Sequence, residues 1–183
     1  MKLTELLEIK SGYKPMVECG CDLKDIYKLG EEKSRIDASS VLGVGALHDF
    51  IGGQNGTIHY IDMQQYKEHQ DIFDTTIYVH QDKTFDVIIP LHAIFITQRY
   101  KMIHEYAHYV LHSDKGMCYA CHRGNNDIEK EANTFALGFL MPAKLFEAKQ
   151  KKYNNNINSL VIAFLVPPEI IKDRITLQEK YGL

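Results

Sequence analysis

Apolar residues recur at helical spacing in the stretch that ends at His112. Ile103, Tyr106, Ala107, Val110 and Leu111 fall at i, i+3, i+4, i+7 and i+8. The pattern predicts a half-buried helix from about Ile94 or Gln98 to His112. Histidine repeats beside that stripe with a four-residue period, at His104, His108 and His112. A second stripe, Ile128, Ala132, Phe135, Ala136 and Phe139, predicts another helix over about Asp127 to Met141, closed by Pro142. Ahead of both lie β-type runs at Thr57 to Ile61, Thr75 to His80 and Phe85 to Leu91, read as a meander of short strands. The turn cluster Gly52-Gly53-Gln54-Asn55-Gly56 separates the first of these from Val41 to Ile51, which is irregular or helical. Helices are also expected at Leu23 to Arg35 and, shorter, at Thr4 to Glu8, with a turn over Lys10 to Pro15. Ser113 to Asn126 reads as a loop and Lys149 to Asn158 as a polar surface connection. Helices at Ile157 to Leu165 and Glu169 to Gln178 flank Pro167-Pro168. Together these predict an α+β fold in one domain over 1–183. It has a strand-rich part to about residue 93, two helices over about 94–142, and a helical C-terminus over about 157–180.

Composition narrows the function classes. The 183 residues are 45% hydrophobic and 25% charged, the profile of an ordinary globular chain long enough for a real core. A formal net charge of −3 gives no electrostatic reason for direct nucleic-acid binding. The first residues lack the apolar core of a signal peptide. The longest apolar runs, Val87 to Ile96 and Leu160 to Val166, fall short of the ~18–20 residues of a membrane span. The expected location is cytoplasmic.

The histidine row carries the candidate chemistry. His104-Glu105-Tyr106-Ala107-His108 is an HExxH sequence. Two imidazoles one helical turn apart have Cβ atoms roughly 5–6 Å from each other and can share one Zn²⁺. Glu105, at the edge of that face, is placed to act as general base on the water that such an ion activates. The plain alternative is a helix that merely carries two surface or core histidines.

Catalytic zinc normally takes a third protein ligand. The following helix offers Glu129 and Glu131, which a helix rotates roughly 200° apart, so one is expected to face the motif. Glu129 is the choice, with Asn133 at i+4 able to orient a ligand, and Glu131 is the runner-up. His112 competes, but three successive turns of a straight helix do not easily reach one ion. It is therefore read as supporting the ligands. His48, His59, His69, His80 and His92 have no ligand-like spacing and are read as surface or turn residues. Cys19, Cys21, Cys118 and Cys121 form a C-x-C and a C-x-x-C pair; free thiols are the favoured reading and a second metal site the alternative.

The run from Arg99 to His112 resembles the active-site helix of the ImmA/IrrE metallopeptidases. Glu129-Lys-Glu-Ala-Asn-Thr-Phe-Ala136 and Phe139-Leu-Met-Pro142 resemble that family's downstream ligand helix and its closing turn. Leu165 to Glu169, through Arg174, resembles its last helices. Tyr106-Ala107 departs from the Leu-Gly often found inside the family's motif, though Ala107 keeps the position small. The resemblance implies a zincin-like, gluzincin-type metalloprotease domain with a small, mostly antiparallel sheet, and it supports Glu129 as the third ligand. It further implies a zinc endopeptidase acting as an antirepressor of a mobile element or stress regulon by cleaving a helix-turn-helix repressor. Tyr109, Tyr119 and His122 are candidates for stabilising the oxyanion. Two rival readings remain: a non-catalytic zincin-like regulator that binds a repressor or effector stoichiometrically, and, weakest, a direct DNA binder.

Overall fold

The computed structural model describes residues 12–34, 43–62, 75–113, 117–121 and 126–183, without the side chains of residues 121 and 126. The expected helix at Thr4 to Glu8, together with His69 and His122, lies outside the described residues. The described chain runs β1 (Lys14–Pro15), α1 (Leu23–Ser34), α2 (Val44–Gly53), β2 (Gly56–Ile61), β3 (Thr76–Val79), β4 (Phe85–Pro90), α3 (Phe95–His112), β5 (Cys118–Cys121), α4 (Asn126–Leu140), α5 (Ala143–Lys152), α6 (Ile157–Phe164) and α7 (Pro168–Tyr181).

The five strands form one sheet in the order β1-β5-β3-β4-β2. β3 is antiparallel to both β4 and β5, whereas β2 pairs parallel with β4 and β1 parallel with β5. The sheet is therefore mixed, not mostly antiparallel. Alternation of apolar residues tells which face a side chain occupies but says nothing of the neighbouring strand's direction. Because β4 and β5 both oppose β3, they run the same way, and α3 is the crossover between them. The stretch read as a loop after His112 thus contains β5, a four-residue strand hidden by its polar flanks.

The alternating strands bury Ile77, Val79, Phe85, Val87 and Ile89 against the helices. α3 is buried more widely than its apolar stripe requires: Met102, Ile103, Tyr106 and Ala107 are inaccessible, and so are Arg99, His104, Glu105, His108 and His112. α4 buries the whole predicted stripe, Ile128, Ala132, Phe135, Ala136 and Phe139. A single core cluster runs from Met16 to Leu177. Among the described residues no helix is long and apolar enough to cross a membrane.

Close backbone approach locks α1 to α4. A Cβ on Gly30 would lie 2.2 Å from the carbonyl oxygen of Phe135, and one on Gly138 would lie 2.1 Å from that of Tyr27. The turn after α4 is held from both sides. The Tyr27 hydroxyl donates to the Met141 carbonyl at 2.6 Å, Arg174 Nε donates to the same oxygen at 3.3 Å, and Glu31 accepts from the Ala143 N–H. Arg174 lies over the rings of Tyr27 and Phe146, at 4.8 and 4.5 Å, which gives its buried charge aromatic faces to rest on. Arg99 reaches from α3 to the carbonyls of Phe164 and Leu165, at 2.7 and 3.4 Å, closing the C-terminal end of α6.

The region expected to be a polar connection is helical to Lys152, because α5 starts directly after Pro142. Asn154 and Asn155 then turn the chain with positive φ. Asn156 caps α6 by accepting from the Ser159 N–H at 2.9 Å.

Candidate metal centre

α3 and α4 meet at the histidine row. His104 Nε2 lies 3.1 Å from His108 Nε2 and 3.2 Å from Glu129 Oε2, and His108 Nε2 lies 3.5 Å from Glu129 Oε1. Both imidazoles are 1% exposed and the carboxylate 19%. Lone-pair-bearing atoms this close repel one another unless a proton or a cation sits among them. Ligands about 2.0–2.2 Å from a tetrahedral ion are roughly 3.3–3.5 Å apart. The three separations match those edge lengths, the two imidazoles meeting different oxygens of the Glu129 carboxylate. The donor set fits a divalent ion on geometry alone.

Glu129 reaches this point from the first turn of α4. Burial drives the His108 imidazole down to about 3, with the Glu129 carboxylate pulling the other way and His104 and His112 adding to the depression. His108 is therefore neutral over the physiological range, the form in which an imidazole binds a metal.

The next turn of α3 contributes a proton chain. His112 Nδ1 lies 3.1 Å from His108 Nδ1, and His112 Nε2 lies 2.9 Å from Glu131 Oε2. The Cys19 and Gly20 backbone N–H groups donate to the same carboxylate, each at 2.9 Å. One set of tautomers satisfies every link: His108 donates from Nδ1 to His112, and His112 donates from Nε2 to Glu131. This leaves His108 Nε2 as the bare nitrogen facing Glu129. Burial alone would raise the Glu131 pKa; the Cys19 N–H, His112 and the other donors outweigh it and hold the carboxyl below its usual range.

Both candidate acids thus meet the imidazole row. Glu131 was expected to point to another side, but the loop after β1 and the end of α3 close on it together. Asn133 Oδ1 accepts the Tyr100 hydroxyl. Tyr100 stands one turn before His104, ring centroids 5.9 Å apart. Burial, then the negative charges of Asp173, Glu129, Glu105 and Glu169, keep its hydroxyl protonated well above the ordinary range. Sequence reasoning passed over Tyr100 as a site residue, although continuing the histidine period one step backwards reaches it.

The other candidates lie elsewhere. Tyr109 stacks on Phe85 at 4.2 Å and donates to the Lys83 carbonyl at 3.3 Å, while Tyr119 stacks on Tyr78. His59 and His80 are half-buried and grip Asp86 from two sides at 2.8 and 3.0 Å, His80 standing at the start of the turn to Lys83. His48 bonds the Tyr60 hydroxyl and His92 bonds Asp62. Among the described residues no disulfide joins the cysteines. Cys118 is buried in the core, whereas Cys19 stands beside His112 and Glu131.

The profile of a peptidase family, the IrrE N-terminal-like domain, matches residues 54–176. The chain belongs to that family. The matched part of this IrrE N-terminal-like domain includes His104, Glu105, His108, Glu129 and Glu131, while α1 and the Cys19-Gly20-Cys21 loop precede it. No curated protein and no solved structure matches the chain. Membership makes this a metallopeptidase-like domain, and its His and Glu groups are compatible with a metal ion.

Proposed function

We propose that the protein is a zinc-dependent endopeptidase of the zincin type, with His104, His108 and Glu129 as metal ligands and Glu105 as general base. The observation that carries this reading is the convergence of two Nε2 atoms and one carboxylate at 3.1–3.5 Å. A bound zinc ion would supply Lewis acidity to a water molecule and to the scissile carbonyl. Glu105, buried beside the first ligand, takes the proton of the attacking water and passes it to the leaving amide nitrogen. The His112–Glu131 chain keeps His108 in the tautomer that leaves Nε2 bare. A cavity of about 450 Å³, lined by Glu129, Asn133, Leu137 and Asp173 among others, opens beside the third ligand.

The family resemblance of the two site helices supports a protein substrate, namely a helix-turn-helix repressor whose cleavage makes this protein an antirepressor. Glu105→Gln tests the chemistry. The variant should retain the bound metal while hydrolysis of a repressor or casein falls by at least about 10²-fold. Undiminished cleavage overturns the assignment of Glu105. A 1:1 complex with an intact repressor, without fragments from the wild type, would favour the stoichiometric regulator instead.

A further inference from the structure

We propose that Cys19, His112 and Glu131 form a second cation site, with Cys21 as a further ligand, that takes a thiophilic divalent ion such as Zn²⁺ or Cd²⁺. A Cys19 thiol, a His112 ring nitrogen and a Glu131 carboxylate oxygen all lie within 4.8 Å of one another. Three separate segments bring them together: the loop after β1, the last turn of α3 and the start of α4. Soft sulfur combined with imidazole and carboxylate is a donor set that favours zinc-like ions over magnesium or calcium.

Cys21 lines the same cavity as Cys19 and His112, outside the close cluster of three. Gly20 has φ +67°, a left-handed turn that suits glycine. It folds the loop so that the Cys21 N–H donates to Cys19 Sγ at 3.4 Å, with Cys21 Sγ 3.9 Å from the Cys19 carbonyl oxygen. The His112 and Glu131 side chains are 0% and 7% exposed, so the ion would rest on a buried floor. A cavity of about 510 Å³ lined by Val17, Cys19, Cys21, Leu29, Leu111 and His112 opens onto it as an entry path. Neighbouring ligands of a mixed N, O and S tetrahedron stand about 3.3–3.7 Å apart, so a small rotation of Cys19 on its loop completes the approach. Binding releases the thiol protons as the sulfurs become ligands.

The two centres are antagonistic by construction. A cation on Nε2 of His112 displaces the proton given to Glu131; one on Nδ1 displaces the bond to His108. Either way a link of the chain behind the first site breaks, and His108 loses the support that makes it a good ligand. The second ion therefore loosens the first.

Cobalt titration of the full chain, following ion count and the thiolate-to-cobalt absorption, tests the site independently of any peptidase activity. Wild type should take up two Co²⁺ per chain and show the thiolate band. Cys19→Ser should bind one and lose the band, and Glu129→Gln should keep the band while losing the other ion. Should Cys19→Ser not fold, alkylation of wild type replaces it: Cd²⁺ should shield Cys19 and Cys21 from iodoacetamide. A wild type without a thiolate band, a band that survives Cys19→Ser, or unshielded alkylation of Cys19 in saturating Cd²⁺ overturns the proposal. Undiminished cleavage by Glu105→Gln would leave this result unchanged, so the two readings fail separately.

Discussion

The chain Glu131–His112–His108 ties the basicity of one imidazole to a carboxylate two hydrogen bonds away. Removing the charge at its far end should be felt at the near end. Glu131→Gln, made in a Cys19→Ser background so that only the first site is read, should weaken zinc binding by about 10–100-fold in a chelator competition. An unchanged affinity would mean that the chain is merely structural packing. The residue pattern revealed part of this. A four-residue period necessarily puts His104, His108 and His112 on one row, and two motifs in order singled out Glu129. The partners of Glu131 were hidden because Cys19 and Gly20 stand 112 and 111 residues away along the chain, and no local spacing encodes such a contact.

Helix against helix, the tightest fit lies behind the site, where α1 and α4 touch backbone to backbone at Gly30 and Gly138. Gly138→Ala should destabilise the fold by about 1–3 kcal/mol, read as a lower urea midpoint, even though alanine is the better helix former. An unchanged or higher midpoint would show that the helices slide apart cheaply. Helix ends were legible to within a residue or two for α1, α4 and α6, whereas α7 runs three residues past the expected Gln178 to its Gly182 cap. β5 and α5 were not: a four-residue strand is too short to display a period, and the Lys-rich α5 buries only Leu145 and Phe146. Strand direction was also beyond the pattern, since parallel and antiparallel neighbours ask for the same alternation.

For the folded protein as a whole, acid is the weak side. His108 falls to about 3 on folding, and burial also lowers His112 despite Glu131. Below about pH 6.5 the unfolded chain takes up protons that the folded chain refuses, so stability drops as pH falls towards 3 and levels off beneath it. Glu131, depressed in the fold, adds to the loss at lower pH still. The metal-free protein should lose up to about 1.4 kcal/mol per pH unit from His108 between pH 6.5 and 5. Equal urea midpoints at pH 7 and pH 5 would contradict this. α3, meanwhile, is strung between β4 and β5, two strands of one sheet, with Arg99 bolting its first turns to the C-terminal helices. Its imidazoles share one helix, so parting them takes rotation of buried side chains or unwinding of α3. The cage is thus finished before its cargo arrives, and stripping the ion should leave amide exchange at residues 104–108 as slow as in the loaded protein. Fast exchange on chelation would instead mean that the ion itself shapes its nest.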